Sequence, residues 1–136
     1  MRRTERRSDC PINFAVQVFG DPWSLLIIRD LMFTERRTYS DFLNAEEGIA
    51  TNILAARLEL LQREGLIRRE GEGRGAKFSL TQKGLDVLPA MLELVSWSAR
   101  YDADTAAPRP FVARVRRERV TITAELRENL RKRYDL

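Results

Sequence analysis

Three features of the sequence predict a mainly α (α+β) fold of the winged helix-turn-helix class. Two helical segments are joined by a short connection at residues 40–64, two alternating segments flank a glycine-rich turn at residues 66–80, and strongly apolar helices stand on either side of both. The 136 residues suffice for one domain with a modest core. We divide the chain into a basic arm (1–10), a winged helix-turn-helix domain with additional dimerisation helices (11–101), a linker (102–110) and a charged helical extension (111–136).

Each element has its own signal. Pro11 suits the first turn of a helix that follows Asp9 or Cys10 and carries Ile12, Phe14, Ala15, Val16, Val18 and Phe19 as far as Gly20. Asp21-Pro22 restarts a helix through Trp23, Leu25, Leu26, Ile27, Ile28, Leu31 and Met32, apolar on nearly every side, as expected at the centre of a domain. Residues 36–39 read as an extended connection, and Ser40 caps a short helix from 41 to about 45 with Phe42 and Leu43 inward. From Thr51, Leu54, Leu58 and Leu61 recur at helical spacing until Glu64-Gly65 closes the helix. Residues 66–70 and 76–80 alternate around a turn at 71–75, which predicts a β-hairpin. Thr81 is a good N-cap for a long helix from 82 to about 101, slightly bent at Pro89. The alanines and prolines of the linker end that helix. Beyond them, Val112, Val115, Val120, Ile122, Leu126 and Leu130 form the apolar side of a charged helical tail.

Composition excludes several classes. One cysteine and no histidine leave no metal-ligand cluster and no intrachain disulfide, so no metal and no cofactor are expected. The same inventory lacks a histidine base or a cysteine–histidine pair, and Gly71, Gly73 and Gly75 lack the Lys-Ser/Thr ending of a phosphate loop. An enzyme is therefore not expected. The longest apolar run, residues 23–28, is far shorter than the roughly 20 residues that span a bilayer. No apolar stretch of a secretory signal follows the charged start, so the expectation is a cytoplasmic protein without a membrane partner. The net charge of +4 is unevenly placed: +2 on residues 1–10, +5 on 109–136 and −3 between them. Net charge alone thus does not identify a nucleic-acid partner, and the central domain needs a local basic face.

The order of elements supplies a site. A helix starting at Thr51 is slim enough for a major groove about 12 Å wide, and its leucines would hold it to the core while its outer face reads bases. Asn52 suits bidentate pairing with adenine, and Thr51 a thymine methyl or a phosphate. Ala55 and Ala56 permit close approach, and Arg57 suits guanine or backbone. Ser40, at the start of the preceding helix, joins these as a contact candidate. Arg69, Arg74 and Lys77, with Arg68, give the hairpin the basic face that the domain otherwise lacks. The plainer alternatives are Thr51 as an N-cap, Asn52 as a solvated first-turn residue, Arg57 paired with Glu59 or Glu64, and the hairpin charges as an ordinary solvated edge.

The chain also resembles the HxlR-type winged-helix regulators of bacteria. The landmarks are Cys10-Pro11, the run Gly20-Asp21-Pro22-Trp23-Ser24-Leu25-Leu26-Ile27-Ile28-Arg29-Asp30-Leu31, Gly48-Ile49-Ala50-Thr51-Asn52-Ile53-Leu54, Arg57-Leu58, Glu64-Gly65-Leu66-Ile67, Leu80-Thr81-Gln82-Lys83-Gly84 and Leu88-Pro89. They run from Cys10 to about Tyr101. The resemblance implies a homodimeric transcription factor on a palindromic operator of double-stranded DNA, with the helix after Ile49 in the major groove and the hairpin as wing. The loop from 70 to 75 is shorter than the proline-containing wing of many members. Minor-groove contact is therefore not carried over, and phosphate contact is the expectation for Arg74 and Lys77.

Two further expectations concern partners. The helix ending at Tyr101 has one apolar stripe of Leu85, Leu88, Leu92 and Val95 and a second of Met91, Leu94 and Trp97, more than one small domain can cover. We expect Ile12, Phe14, Phe19, Leu88, Met91, Leu92, Val95 and Trp97 in an interface between two copies. Some members of the resembled family sense oxidants, quinones or aldehydes through a cysteine at the position of Cys10, which implies an oxidant or small-molecule inducer, and Arg6 and Arg7 would favour its thiolate. The alternative for Cys10 is a small apolar residue at a helix start. A winged helix that binds a protein partner through its hairpin or its charged tail is the competing reading of the whole chain.

Overall fold

Proline and glycine set the element boundaries in a computed structural model that describes residues 6–136, the Arg74 side chain excepted. Arm residues 1–5 and the Arg74 contact expected above lie outside the described residues. The chain divides into two units, one ending at Gly84 and the other Leu85–Leu136.

In the first unit, Pro11 opens α1 (Pro11–Phe19), with Cys10 as its N-cap residue. α2 (Ser24–Phe33) starts where the Asp21 carboxylate accepts the backbone N–H groups of Trp23 (2.7 Å) and Ser24 (2.8 Å) and the Ser24 hydroxyl (2.5 Å). Ile27, Ile28 and Leu31 of α2 are buried. The next helix, α3 (Tyr39–Leu43), corrects the cap assignment. Thr38 caps it, accepting the Asp41 N–H at 3.1 Å while Asp41 accepts the Thr38 N–H at 3.0 Å, and this reciprocal pair leaves Ser40 inside the helix and exposed. α4 (Thr51–Arg63) ends before Gly65, whose φ of +74° is the left-handed conformation that closes a helix best without a side chain.

The hairpin forms as expected. β1 (Ile67–Glu70) pairs antiparallel with β2 (Lys77–Leu80), Ile67 opposite Leu80 and Glu70 opposite Lys77, across a 3-10 turn at Gly73–Gly75. Residues before α3 add a short edge to it: Thr38 bridges Lys77, and the Phe78 N–H donates to the Arg37 carbonyl at 2.8 Å. Phe42 and Phe78 are both buried, their ring centroids 6.0 Å apart, so the core of this unit lies between the helices and the inner face of the hairpin. Buried Asp30 is compensated by Arg29 at 3.0 Å and Arg36 at 3.3 Å. Among the described residues, no helix is long and apolar enough to cross a membrane.

The long helix expected from 82 to 101 is two helices, α5 (Gln82–Leu85) and α6 (Leu88–Tyr101). Pro89 has no N–H for the Leu85 carbonyl, and its ring fits the first turn of a new helix better than the middle of an old one. The second unit packs α6 with α7 (Arg109–Arg117) and α8 (Arg119–Tyr134). The tail thus forms two helices broken at Glu118, and its first helix starts inside the expected linker. Leu88, Leu92, Val115, Ile122, Leu130 and Tyr134 are buried. Three tail arginines are engaged within this unit: Arg114 with Glu125 (2.8 and 3.1 Å), Arg119 with Glu93 (2.6 Å) and Arg116 with the Ser96 carbonyl (3.4 Å).

Burial also corrects the interface expectation. Leu88, Leu92 and Met91 are buried within the chain and belong to its own core. The exposed stripe of α6 is Leu94, Trp97 and Tyr101, with the two aromatic rings 5.5 Å apart, while Val95 is half-buried. On α1, Ile12, Phe14 and Val16 are exposed and Phe19 is half-buried.

Candidate nucleic-acid interface

The two faces of α4 differ in what they offer. Leu54, Leu58 and Leu61 are at most 3% exposed and anchor the helix, whereas Thr51, Asn52, Ala55 and Ala56 lie exposed on the other side. Ala50 is the N-cap residue, so Thr51 is the first helical residue and its hydroxyl is not spent on capping. The reading of Thr51 as a mere cap is thereby corrected.

Around this helix start, the fold gathers residues distant in sequence. Tyr39 donates its hydroxyl to the Thr51 carbonyl at 2.7 Å. An open cavity of about 560 Å³ is lined by Tyr39, Ser40, Leu43, Thr51, Arg69, Gly73, Ala76 and Phe78. Three expected contact residues, Ser40, Thr51 and Arg69, therefore share one concavity between α3, α4 and the hairpin. Arg69 reaches the Gly73 carbonyl at 3.3 Å, and both Arg69 and Lys77 are exposed.

Arg57 is placed differently from either expectation. Its guanidinium pairs with Asp21 at 3.5 Å, while Glu59 pairs with Arg63 at 3.6 Å. Burial pushes the Asp21 carboxyl up, but the Ser24 hydroxyl, the Trp23 and Ser24 N–H groups and the Arg57 charge outweigh it and hold it below the ordinary carboxylate range. Arg57 is half-buried in this arrangement and ties α4 to the start of α2.

Two carboxylates stabilise the surroundings. The Arg37 N–H is the main reason that Asp41 lies below its usual range; desolvation opposes it, and the Thr38 N–H and hydroxyl with the Arg36 charge outweigh that opposition. Glu70 is lowered chiefly by the Ser79 hydroxyl, then by Arg68 and Arg37. Sequence reading missed Asp21, Arg37 and Tyr39 as contributors. Asp21 was legible as a helix start before Pro22, and Thr38 with Asp41 three residues on is a capping pattern that places Arg37 and Tyr39 at another.

The uncharacterized HTH-type transcriptional regulator sll1512 of Synechocystis sp. is 32% identical over 88 residues, which is 62% of this chain and 64% of that protein. The chain thus spans less than two thirds of that relative. Among solved structures, PA1607 matches with a TM-score of 0.66 at 31% identity, over 78% of this chain and 76% of its own. Quinone-bound YodB from B. subtilis matches with a TM-score of 0.58 at 26% identity, over 68% of this chain and 99% of its own. Because the HxlR-like helix-turn-helix profile matches residues 18–106, well over half of the sequence, the chain belongs to that family.

Proposed function

We propose that this protein is a sequence-specific DNA-binding transcription regulator that acts in the cytoplasm as a homodimer on a palindromic operator, with α4 in the major groove and the hairpin as wing. The observation that carries this reading is the two-faced α4: three buried leucines anchor it, and Thr51, Asn52, Ala55 and Ala56 are exposed beside the exposed Arg69 and Lys77 of the same unit. Asn52 reads adenine, the alanines admit the helix, and Ser40, Thr51 and Arg69 suit phosphate. Arg57 contributes through its tether to Asp21, and Arg74 keeps its assignment to the backbone. Few polar readers per chain make a second copy necessary for specificity. The exposed Ile12 and Phe14 of α1 and Trp97 of α6 supply apolar surface for it. Selection of bound duplexes from a random pool tests this reading: two inverted half-sites about one DNA turn apart are expected, and enrichment of no sequence at low salt overturns it.

We also propose that oxidants or electrophiles act on this regulator through Cys10. The thiol is exposed at the N-cap of α1, and the quinone-bound YodB structure is similar over 68% of this chain. The neighbouring cations are occupied, Arg6 by Asp9 at 3.3 Å and Arg7 by Asn13 at 3.2 Å. With one cysteine per chain, the products are an adduct or a disulfide with a second molecule. Benzoquinone or diamide should release wild-type protein from its selected duplex at least about tenfold more readily than Cys10→Ser; equal release by both ends the proposal.

A further inference from the structure

Recognition by both a reading helix and a wing requires that their separation be held fixed, and residues 37–41 touch both. On the wing side, one Arg37 guanidinium meets three groups on the two strands. Its Nη2 donates to the Ser79 hydroxyl at 2.6 Å and lies 3.3 Å from the Glu70 carboxylate, and its Nε donates to the Phe78 carbonyl at 3.0 Å. Ser79, itself fully buried, donates its hydroxyl to the Glu70 carboxylate at 2.8 Å, closing the ring of bonds. The Arg37 carbonyl accepts the Phe78 N–H as well. On the helix side, two residues further along, Tyr39 holds the Thr51 carbonyl at 2.7 Å. Between them the backbone is pinned, because one oxygen of Asp41 accepts the N–H groups of both Arg37 (2.9 Å) and Thr38 (3.0 Å).

We propose that residues 37–41 are a strut that fixes the spacing between α4 and the wing, with Arg37 as the positioning residue toward the wing and Tyr39 as the positioning residue toward α4. Neither side chain needs to touch DNA for this. A planar guanidinium with several donors in a fixed fork is the group that can satisfy a hydroxyl, a carbonyl and a carboxylate from two strands at once. Burial of Ser79 makes the arrangement costly to leave half-formed, since its hydroxyl would keep one partner and lose another. Loss of the Arg37 side chain therefore loosens the hairpin's strand ends, while buried Ile67, Phe78 and Leu80 keep it on the core and the α4 leucines stay in place.

The strut can be tested with and without DNA, and the DNA arm rests on the function proposed above. Hydrogen exchange on the free full-length protein comes first. Arg37→Met and Ser79→Ala should each raise exchange of the β1 and β2 amides by about tenfold and leave the start of α4 unchanged. Tyr39→Phe should do the reverse. Second, on the selected duplex, Arg37→Met should lower the magnitude of the salt slope by about 2–3.5, because Arg69 and Lys77 of two subunits contribute up to about 0.9 per phosphate contact. In an Arg69→Ala, Lys77→Ala background, Arg37→Met should weaken binding by less than about twofold further, since its effect passes through those residues. Hairpin exchange that is unchanged in both Arg37→Met and Ser79→Ala overturns the strut, whatever DNA does. An unchanged slope in a protein that still binds the duplex overturns its role in recognition. A wild type that binds no duplex sinks the proposed function, while the exchange result still decides the strut.

Discussion

Replacing Gly84 by alanine should cost the winged domain about 3 kcal/mol and lower Tm by at least about 10 °C. A Cβ at this position would sit directly on the Leu66 carbonyl oxygen and press on Leu80 Cδ2, 3.1 Å away. The obstacle is backbone, so no rotamer change relieves it. That carbonyl also accepts the Thr81 N–H at 3.1 Å, so moving it aside breaks the link between the end of the hairpin and α5. The cost combines overpacking of about 1–3 kcal/mol with a weakened buried hydrogen bond. Gly75→Ala is the control. Its Cβ would meet nothing within 4 Å at an ordinary φ, and thermal unfolding should change by less than about 0.5 kcal/mol. Equal melting curves for the two variants would refute the close approach of Gly84 to Leu66.

Trp97→Asp should convert a dimer to a monomer and weaken duplex binding more than about 100-fold. Trp97 is 63% exposed and packs in a tilted pair with Tyr101, itself 70% exposed, with Leu94 one turn before. A large aromatic pair left in water by the chain is the kind of anchor that dominates interfaces, and a carboxylate in its place would be buried without a partner. The α6 core stripe of Leu88 and Leu92 is untouched, so helicity should be preserved. Sedimentation at concentrations used for binding checks the mass, and duplex titration checks the affinity. A variant that keeps the wild-type mass would remove α6 from the interface.

The elements assigned to recognition, α4 and the hairpin, were legible because their signals are local. The spacing of Leu54, Leu58 and Leu61 with Gly65 behind them defines α4, and the glycines between two alternating segments define the wing. The family resemblance, carried by landmarks such as the run from Gly20 to Leu31 and that from Gly48 to Leu54, agrees with the matched profile. What escaped depends on tertiary partners. Periodicity reveals two apolar stripes on α6 but not which of them the chain buries, and that choice reversed Leu88, Met91 and Leu92 from interface to core. Arg57 has one acidic neighbour on its own helix, Glu59, and another at the C-cap, Glu64, so a local pairing rule points there, while the observed partner is Asp21, in the turn before α2. Pro89 reads as a bend in a continuous apolar pattern, but its missing donor makes it a helix start. The strut was invisible because Arg37, Tyr39, Thr51, Glu70 and Ser79 lie on four elements and in the connection between them.

The central claim, that α4 reads bases in the major groove for a two-fold dimer, is tested most directly by repeating the duplex selection with Asn52→Ala. The wild type should enrich inverted half-sites whose centres lie about 34 Å apart. The variant should keep that spacing but lose preference at one adenine position in each half-site, a discrimination of about 1–3 kcal/mol. An identical preference from both proteins, or a wild-type site without inverted symmetry, would contradict it.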